Sequence, residues 1–242
     1  MAIYPNIYQT LVPCPIVELR GYLAACGLKG RLYAYLDYNG PTGTSRDSVA
    51  EGMLALAAEK HKLLPGQPII EAASGSFAMA LALAGRTAGH PVVLTMPEDA
   101  PACGRNTCSG WGRRSCIPPP SGALRGPALA ETTAAESWYY MNWLANDDNP
   151  EYHRRVTGPA IVQAISREGR SLVDTITVGV GSAGTITGVG ETIKAGPTMS
   201  ASWPWSPLRI RLWAAASPAG TASRISATAS CRAITTPMLW IM

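Results

Sequence analysis

Strand-like and helix-like segments alternate along residues 31–97, and this alternation restricts the fold more than any other feature of the chain. The strand-like segments are short and apolar, whereas the helix-like ones carry apolar residues at helical spacing or on nearly every side. The predicted strands are 32–36, 68–70 and 91–96, and the predicted helices are 48–61, with Asp47 placed to cap it, and 77–88. Strands joined by helices pair in parallel through right-handed crossovers, so the sequence predicts an α/β fold.

A second ordered stretch, residues 131–194, has the same character. It is predicted to contain a helix at 131–144, a polar loop at 146–149, a helix at 158–167 and a strand at 175–178. The strand runs directly into a glycine-rich turn and a further helix. This stretch therefore extends the α/β pattern.

The composition excludes several classes of protein. A length of 242 residues suffices for a sizeable core, and the net charge of +4 comes without the clustered basic block of a nucleic-acid-binding protein. No apolar run approaches the ~20 residues of a membrane span, and the first residues lack the pattern of a signal peptide. We therefore expect a cytoplasmic protein that binds neither nucleic acid nor a membrane.

The six cysteines do not form a disulfide scaffold in a chain of this length. Cys103, Cys108 and Cys116 are loosely grouped, but their spacing matches no zinc pattern and no histidine lies near them in sequence. Free thiols and no metal site are therefore expected.

Two segments differ from the rest of the chain. Residues 101–130 contain no Asp, Glu or Lys, and residues 192–242 contain no acidic residue. Both are rich in the residues that a GC-rich gene yields when it is translated out of frame. We expect the stretches at about 101–130 and 197–242 to be frameshifted relative to an ancestral sequence; genuine Pro-rich loops and tails are the alternative.

A glycine-rich turn lies between a predicted strand and a helix at residues 178–185, VGVGSAGT. Glycines let a backbone approach an anion closely, and successive N–H groups together with a helix N-terminus favour a phosphate. The spacing differs from that of the dinucleotide-binding fingerprint. For this motif alone, a tight turn without a ligand is the alternative.

Two more turns precede predicted helices. Residues 71–77, EAASGSF, offer backbone amides and the hydroxyls of Ser74 and Ser76 to a carboxylate; a serine N-cap without a ligand is the alternative. Residues 39–48, NGPTGTSRDS, form the third turn. The order and separation of the three turns point to a protein family far more specifically than any single turn does.

The three turns resemble the cysteine synthase (O-acetylserine sulfhydrylase) and cystathionine β-synthase family, whose members are pyridoxal-phosphate enzymes of fold type II. The resemblance runs from about residue 10 to residue 194. It is carried by LDYNGPTGTSRDS, LLPGQPIIEAASGSFAMALA, GHPVVLTMPEDA, ESWYYMNWLANDDNPEYHRRVTGP and ITVGVGSAGTITGVG. It implies parallel sheets with helices on both faces. A smaller domain, 38–152, would be inserted into a larger cofactor-binding domain, 1–37 plus 153–242, that is incomplete at its C-terminus.

The resemblance also implies which residues form the site for pyridoxal phosphate and for an amino-acid substrate. The cofactor-binding positions are Ser76, Gly181, Ser182, Ala183, Gly184 and Thr185, and the substrate-binding positions are Ala73, Ser74, Gly75 and Trp143. Ala183 stands where the family has a glycine. Ser76 stands where an asparagine contacts the cofactor's ring hydroxyl, and Trp143 where a glutamine helps to hold the substrate. Phe77 replaces a threonine at the end of the substrate turn.

The largest departure from the family is Arg46. It stands where the family's lysine forms the Schiff base with the cofactor and moves the α-proton, and arginine, which stays protonated, can do neither. Ser48 also replaces an arginine of that motif, and the serine that bonds the pyridine nitrogen has no recognisable counterpart. Other basic side chains are expected at the surface, namely those of Lys60, Lys62, Lys194, His61, His90 and His153.

Two functions from different classes follow from the resemblance. The first is a β-replacement that makes cysteine from O-acetylserine and sulfide, in a copy inactive or impaired at the lysine-dependent steps. The second is a non-catalytic relative, a pseudoenzyme, that binds a phosphate, an amino acid or a partner protein, with Arg46 pairing with an anion. A decayed gene product without function is a third interpretation. The family's usual homodimer is expected.

Overall fold

The computed structural model describes residues 3–11, 14–96, 130–131, 137–169, 173 and 175–195 in full, and the backbone of residues 209–213 and 238–241. The rest of the two acid-free segments, including Cys103, Cys108 and Cys116, lies outside the described residues. The chain divides into two compact units. The first comprises Met1–Leu11 and Tyr38–Asp148, and the second comprises Val12–Asp37 and Asn149–Met242.

Strands and helices alternate along the described chain. In order they are a 3₁₀ helix Ile7–Thr10, β1 Ile16–Glu18, α1 Arg20–Ala25, β2 Tyr33–Leu36, α2 Arg46–Glu59, β3 Ile69–Ala72, α3 Gly75–Thr87, β4 Val92–Thr95, β5 Tyr139–Tyr140, α4 Asp148–Tyr152, a π-helical turn His153–Thr157, α5 Gly158–Arg167, β6 Thr175–Gly179, α6 Gly184–Ala195, β7 Arg209–Trp213 and β8 Met238–Ile241. Four of the predicted strands and three of the predicted helices are observed, and each begins and ends within two residues of its predicted bounds. Within the described ranges, no helix combines the length and apolar character needed to cross a bilayer.

The first unit is built on a parallel three-stranded sheet in the order β4-β3-β5. Helix α2 packs against α3, and α3 packs against β4. The largest fully buried apolar side chains of this unit are Val49, Met53, Ile69, Ile70, Leu81 and Met141. The apolar residues that produced the helix and strand patterns in the sequence therefore form the core of this unit.

The second unit contains a mixed five-stranded sheet in the order β1-β2-β8-β6-β7. Strands β6 and β7 are parallel, and the other neighbouring pairs are antiparallel. Its core residues are Tyr35, Ile161, Ile165, Ile176, Val178, Val180, Ile186, Val189 and Ile193. The expected parallel pairing of β2 with the strand after α2 is wrong, because β2 pairs with the nearby β1 and the chain enters the other unit after Asp37.

The helix predicted at 131–144 is also wrong over residues 137–144. Tyr139 and Tyr140 form β5, parallel to β3, and a turn follows at 143–145. The backbone N–H of Tyr139 donates to Pro68 O at 2.8 Å, and that of Met141 donates to Ile70 O at 3.3 Å. The edge of β3 supplies these partners, and aromatic residues favour strands. The predicted polar loop at 146–149 is shorter than expected, because the buried Asp148 begins α4.

Candidate functional site

Arg46 begins α2, and its neighbour Asp47 holds the turn before it. The fully buried Asp47 Oδ2 accepts hydrogen bonds from Thr42 N at 3.0 Å, Thr42 Oγ1 at 2.8 Å and Thr44 N at 3.4 Å. Burial raises the pKa of the Asp47 carboxyl, and these bonds oppose that shift. Asp47 therefore does not cap the helix as expected, since the N-cap is Ser45. Asp47 instead fixes the conformation of the loop that precedes Arg46.

The turn between β3 and α3 carries the expected substrate-binding residues. Ala73 is buried and its N–H donates to Thr95 O at 3.1 Å, whereas Ser74 and Gly75 are exposed and Ser76 is half-buried. Gly75 has φ +66°, in the left-handed region that favours glycine. Ser74 occupies the N-cap position without a side-chain hydrogen bond to the helix, so an ordinary serine cap does not account for this turn.

Three side chains from separate elements meet in the first unit, and we call this group the Trp143 stack: Arg46, Phe77 and Trp143. The rings of Phe77 and Trp143 are stacked, with centroids 4.2 Å apart and planes inclined by 16°. Arg46 Cζ lies 5.5 Å from the centroid of the Trp143 ring. At each of the three positions the resemblance implies a different residue in the family. Arg46 and Phe77 each contact Trp143.

Glu71 is a residue of this region to which the sequence assigned no role. It is 1% exposed on β3, and its Oε2 accepts the N–H of Trp143 at 3.1 Å while Oε1 accepts the N–H of Ala72 at 2.9 Å. Burial raises the pKa of the Glu71 carboxyl to about 8, although backbone hydrogen bonds from Trp143, Ala72 and Asn142 favour its ionised form. A lone carboxylate in an apolar strand is the signal that could have identified it.

The glycine-rich turn of the second unit joins β6 to α6. Ala183 has φ +64°, a conformation that side chains other than glycine rarely adopt. A Cβ added to Gly184 would overlap the Asn149 side chain, which would have to move to make room for it. Ser182 Oγ accepts hydrogen bonds from Asn149 Nδ2 at 2.8 Å and from Gly184 N at 3.4 Å. The turn is therefore a compact, defined loop at the N-terminus of α6.

His153, which was expected at the surface, is 3% exposed. Its Nδ1 lies 2.9 Å from Thr157 Oγ1, and its Nε2 lies 3.0 Å from Thr185 Oγ1 in the glycine-rich turn. The expectation failed because Gly188 lets α6 approach the π-helical turn closely, which encloses the imidazole. His61 is exposed as expected, and His90 is half-buried with Nδ1 3.0 Å from Gln67 O.

Thr185→Val should lower the free energy of unfolding by about 1 to 2 kcal/mol, because it leaves a nitrogen of the buried His153 ring without its hydroxyl partner. Chemical denaturation followed by circular dichroism measures the change. The matched control is Thr187→Val in the same helix, whose hydroxyl has no hydrogen bond among the described residues. Equal losses in the two variants would show that the His153 contact contributes nothing.

Two of the six cysteines, Cys14 and Cys26, lie in the described part of the chain. Cys14 and Cys26 are free thiols, and burial raises the pKa of the Cys14 thiol to about 11, so it stays protonated at neutral pH. No group of three or more His, Cys, Asp or Glu side chains in the described ranges could hold a metal ion.

All four lysines of the sequence lie among the described residues. Lys60 and Lys62, at the surface as expected, pair with the buried carboxylate of Asp148, Lys62 at 3.4 Å. Lys60 directly follows the 14 residues of α2, which places it about 21 Å along the helix from Arg46. Lys194, near the exposed end of α6, lies about 15 Å along the helix from Gly184. Lys29 is exposed in the loop after α1.

The sequence matches known proteins along most of its length. A family model described as pyridoxal-phosphate-dependent enzyme matches residues 7–235. The cysteine synthase of Staphylococcus aureus strain Mu50 is 31% identical over 191 residues, which are 78% of this chain and 60% of that protein. The chain therefore spans about 60% of the length of the curated relatives that it matches.

Solved structures share the fold. The cysteine synthase of Entamoeba histolytica superposes with a TM-score of 0.70 at 27% identity, covering 80% of this chain and 57% of that one. An O-ureido-L-serine synthase superposes with a TM-score of 0.73 at 24% identity, and the match covers 87% of this chain and 63% of that one. At this identity the match is evidence for a shared fold only. The expected α/β fold of the fold type II enzymes is confirmed. With three motif-bearing turns, this fold and a family match over most of its length, the chain belongs to the pyridoxal-phosphate-dependent enzymes and is similar to the cysteine synthases.

Proposed function

We propose that this chain is a cysteine-synthase-like protein that has lost the lysine-dependent part of the β-replacement of O-acetylserine by sulfide. The observation that carries the proposal is Arg46, at the family's lysine position, with its guanidinium over the Trp143 ring. A guanidinium stays protonated at any accessible pH and offers no nucleophilic nitrogen. Neither a bond to a carbonyl nor the transfer of a substrate proton is then available at position 46.

The lysines that follow α2 and the lysine near the end of α6 are not placed to take over this role within their own units. In the first unit, the lysines nearest in sequence to Arg46 lie beyond the far end of α2 and pair with Asp148. In the second unit, Lys194 lies at the opposite end of α6 from the glycine-rich turn. A single substitution therefore removes the amine on which the family's chemistry depends.

The residues that the resemblance assigns to pyridoxal phosphate fit the cofactor differently in the two units, each taken by itself. In the second unit, Gly184 leaves no room for a Cβ beside Asn149, and α6 begins with N–H groups that lack helical partners. Such a loop suits a phosphate group. When bound, this cofactor supplies an electron sink for a carbanion. The first unit does not fit covalent attachment, because Arg46 provides no amine, so we derive no reaction step through the cofactor.

Binding without covalent attachment is the expected result of a ligand titration. Pyridoxal 5′-phosphate and pyridoxine 5′-phosphate, which lacks the aldehyde, should bind the full chain with affinities within about threefold of each other, since an aldehyde without an amine partner adds little. Calorimetry measures both affinities, and borohydride treatment with peptide mapping should find no specifically modified lysine. Gly184→Ala, checked for cooperative unfolding, should weaken both ligands at least tenfold. One specifically trapped lysine would contradict the proposal.

The second candidate is a non-catalytic relative that binds a phosphate or an amino acid, or a partner protein. The observation that favours it is the defined glycine-rich turn of the second unit, in which His153 contacts Thr185. Sulfide-dependent formation of cysteine from O-acetylserine separates the candidates. Any such activity that depends on added pyridoxal phosphate would eliminate the binding-only candidate, whereas binding of inorganic phosphate with no activity would support it.

The proposal extends to an amino-acid substrate, a homodimer and a cytoplasmic protein, as the resemblance implies. Sedimentation velocity of the full chain tests the assembly, and a single species of 25.5 kDa would remove the dimer from the proposal.

A further inference from the structure

The three residues of the Trp143 stack come from distant parts of the chain. Arg46 lies at the start of α2, Phe77 in the first turn of α3, and Trp143 in the turn after β5. Phe77 is 2% exposed, and the other two side chains are half-buried. Side chains that contact one another are energetically coupled, so a substitution at one of these positions changes the effect of a substitution at another. Their contact indicates that the three departures from the family depend on one another.

The backbone that carries Trp143 is held firmly in place. Glu71 accepts the Trp143 N–H at 3.1 Å from inside the core. The turn is closed by bonds from Ala145 N and Asn146 N to Asn142 O, both at 2.9 Å, and Asn146 Nδ2 donates to Met141 O at 2.7 Å. The backbone of Trp143 is therefore fixed, and its indole ring stacks on the buried Phe77, so a side chain at position 46 meets a defined aromatic surface.

A fixed indole favours a cation beside it. The face of the ring is electronegative, and a cationic group within about 6 Å of the centroid is attracted to it. Arg46 Cζ, at 5.5 Å, satisfies this distance. The attraction acts on the charged form of a side chain and not on its neutral form, so it opposes loss of a proton.

We infer that Arg46, Phe77 and Trp143 form one interdependent unit in which Trp143 is the positioning residue that favours the cationic form of the side chain at position 46. The inference deepens the proposed function, and it rests on that proposal only in taking position 46 as the family's lysine position. Trp143 is then a determinant of the chemistry available at position 46, in addition to the loss of the lysine itself.

Restoring a lysine alone should therefore not restore ordinary amine reactivity. An amine adds to a carbonyl only in its neutral form, when the nitrogen lone pair forms the bond to carbon and the carbonyl oxygen leaves as water with the two nitrogen protons. The Trp143 ring favours the ammonium form, which has no lone pair. Removal of the ring should release the amine.

The experiment compares Arg46→Lys with Arg46→Lys/Trp143→Leu and Arg46→Lys/Trp143→Gln. Reductive methylation with ¹³C-formaldehyde labels the introduced amine, whose resonance is absent from the wild-type chain, and an NMR titration gives its pKa. Both double variants should show an acid dissociation constant at least about threefold larger than the single variant. The matched control, Arg46→Lys/Leu144→Gln, changes the exposed neighbour of Trp143 and should match the single variant. Equal constants in all folded variants would overturn the inference.

A second measurement needs no substitution of Trp143. With fluorotryptophan in place of the seven tryptophans, Arg46→Gln should shift one ¹⁹F resonance strongly, and Arg46→Lys, which keeps a cation, should shift it less. An unchanged spectrum in Arg46→Gln would overturn the inference even if the Trp143 variants fail to fold. Neither measurement uses the cofactor, so failure here leaves the proposed noncovalent binding intact, and failure of that binding leaves this inference intact.

Discussion

Glu71→Gln should flatten the pH dependence of folding stability between about pH 4.5 and pH 8. The pKa of this carboxyl rises from 4.5 to about 8 on folding, chiefly through burial. The folded chain therefore keeps a proton that the unfolded chain releases. The associated stability is complete below pH 4.5 and is lost as the pH rises through 8. At about 1.4 kcal/mol for each pKa unit, the wild-type chain should lose on the order of 4 kcal/mol across this window.

Urea unfolding of the two chains at pH 5, 6, 7 and 8 measures the difference. The pKa values of Asp47 and Glu51 are also raised by burial, but both groups are present in both chains and cancel in the comparison. Glu151→Gln is the control, because hydrogen bonds from Arg155 and Arg154 lower the pKa of Glu151. The Glu151 carboxylate contributes stability that is lost below pH 4.5, as the pH falls through its folded-state pKa. Glu151→Gln should therefore change the pH dependence of stability in that range. Parallel slopes for wild type and Glu71→Gln would contradict the prediction.

Gly188→Ala should lower the free energy of unfolding by about 3 kcal/mol, although glycine-to-alanine changes within helices ordinarily stabilise. The added Cβ would overlap Pro150 O and lie 2.6 Å from His153 Cβ and 3.0 Å from Arg154 N. Two of these atoms belong to the backbone and cannot rotate away, so α6 would have to separate from the preceding helical turns. Because His153 contacts Thr185 across this approach, the glycine-rich turn should also be displaced.

Gly21→Ala is the matched control for Gly188→Ala, since Gly21 also lies in a helix of the second unit but has no heavy atom within 4 Å of an added Cβ. It should raise stability by about 0.5 to 1 kcal/mol. Denaturant unfolding followed by circular dichroism compares the two variants. If both variants changed the free energy of unfolding in the same direction, the close approach of α6 would not be the cause of the loss in Gly188→Ala.

Much of the fold could be predicted because its signals are local. Apolar residues at helical spacing predicted α2, a segment apolar on nearly every side predicted α3, and short apolar or β-branched runs predicted β3, β4 and β6. The helix predicted at 131–144 failed where a distant strand edge decided the outcome: Tyr139 takes its backbone partner from Pro68, which no periodicity in its own neighbourhood reveals. Similarly, the sequence predicted β2 as a strand, but the sheet to which β2 belongs is decided by its antiparallel pairing with β1.

The candidate site divides in the same way. The glycine-rich turn and the absence of an amine at position 46 are properties of the residue types themselves, and the sequence alone determined both, together with the alternation that predicts an α/β fold. Only the tertiary structure decided that Trp143 lies on Phe77, that the buried Glu71 bonds a residue 72 positions away, and that His153 reaches Thr185, 32 positions on. The physical reason is that burial and hydrogen-bond partners depend on which surfaces meet in space. A carboxyl or an imidazole acquires its ionisation and its role from those neighbours and not from its place in the chain.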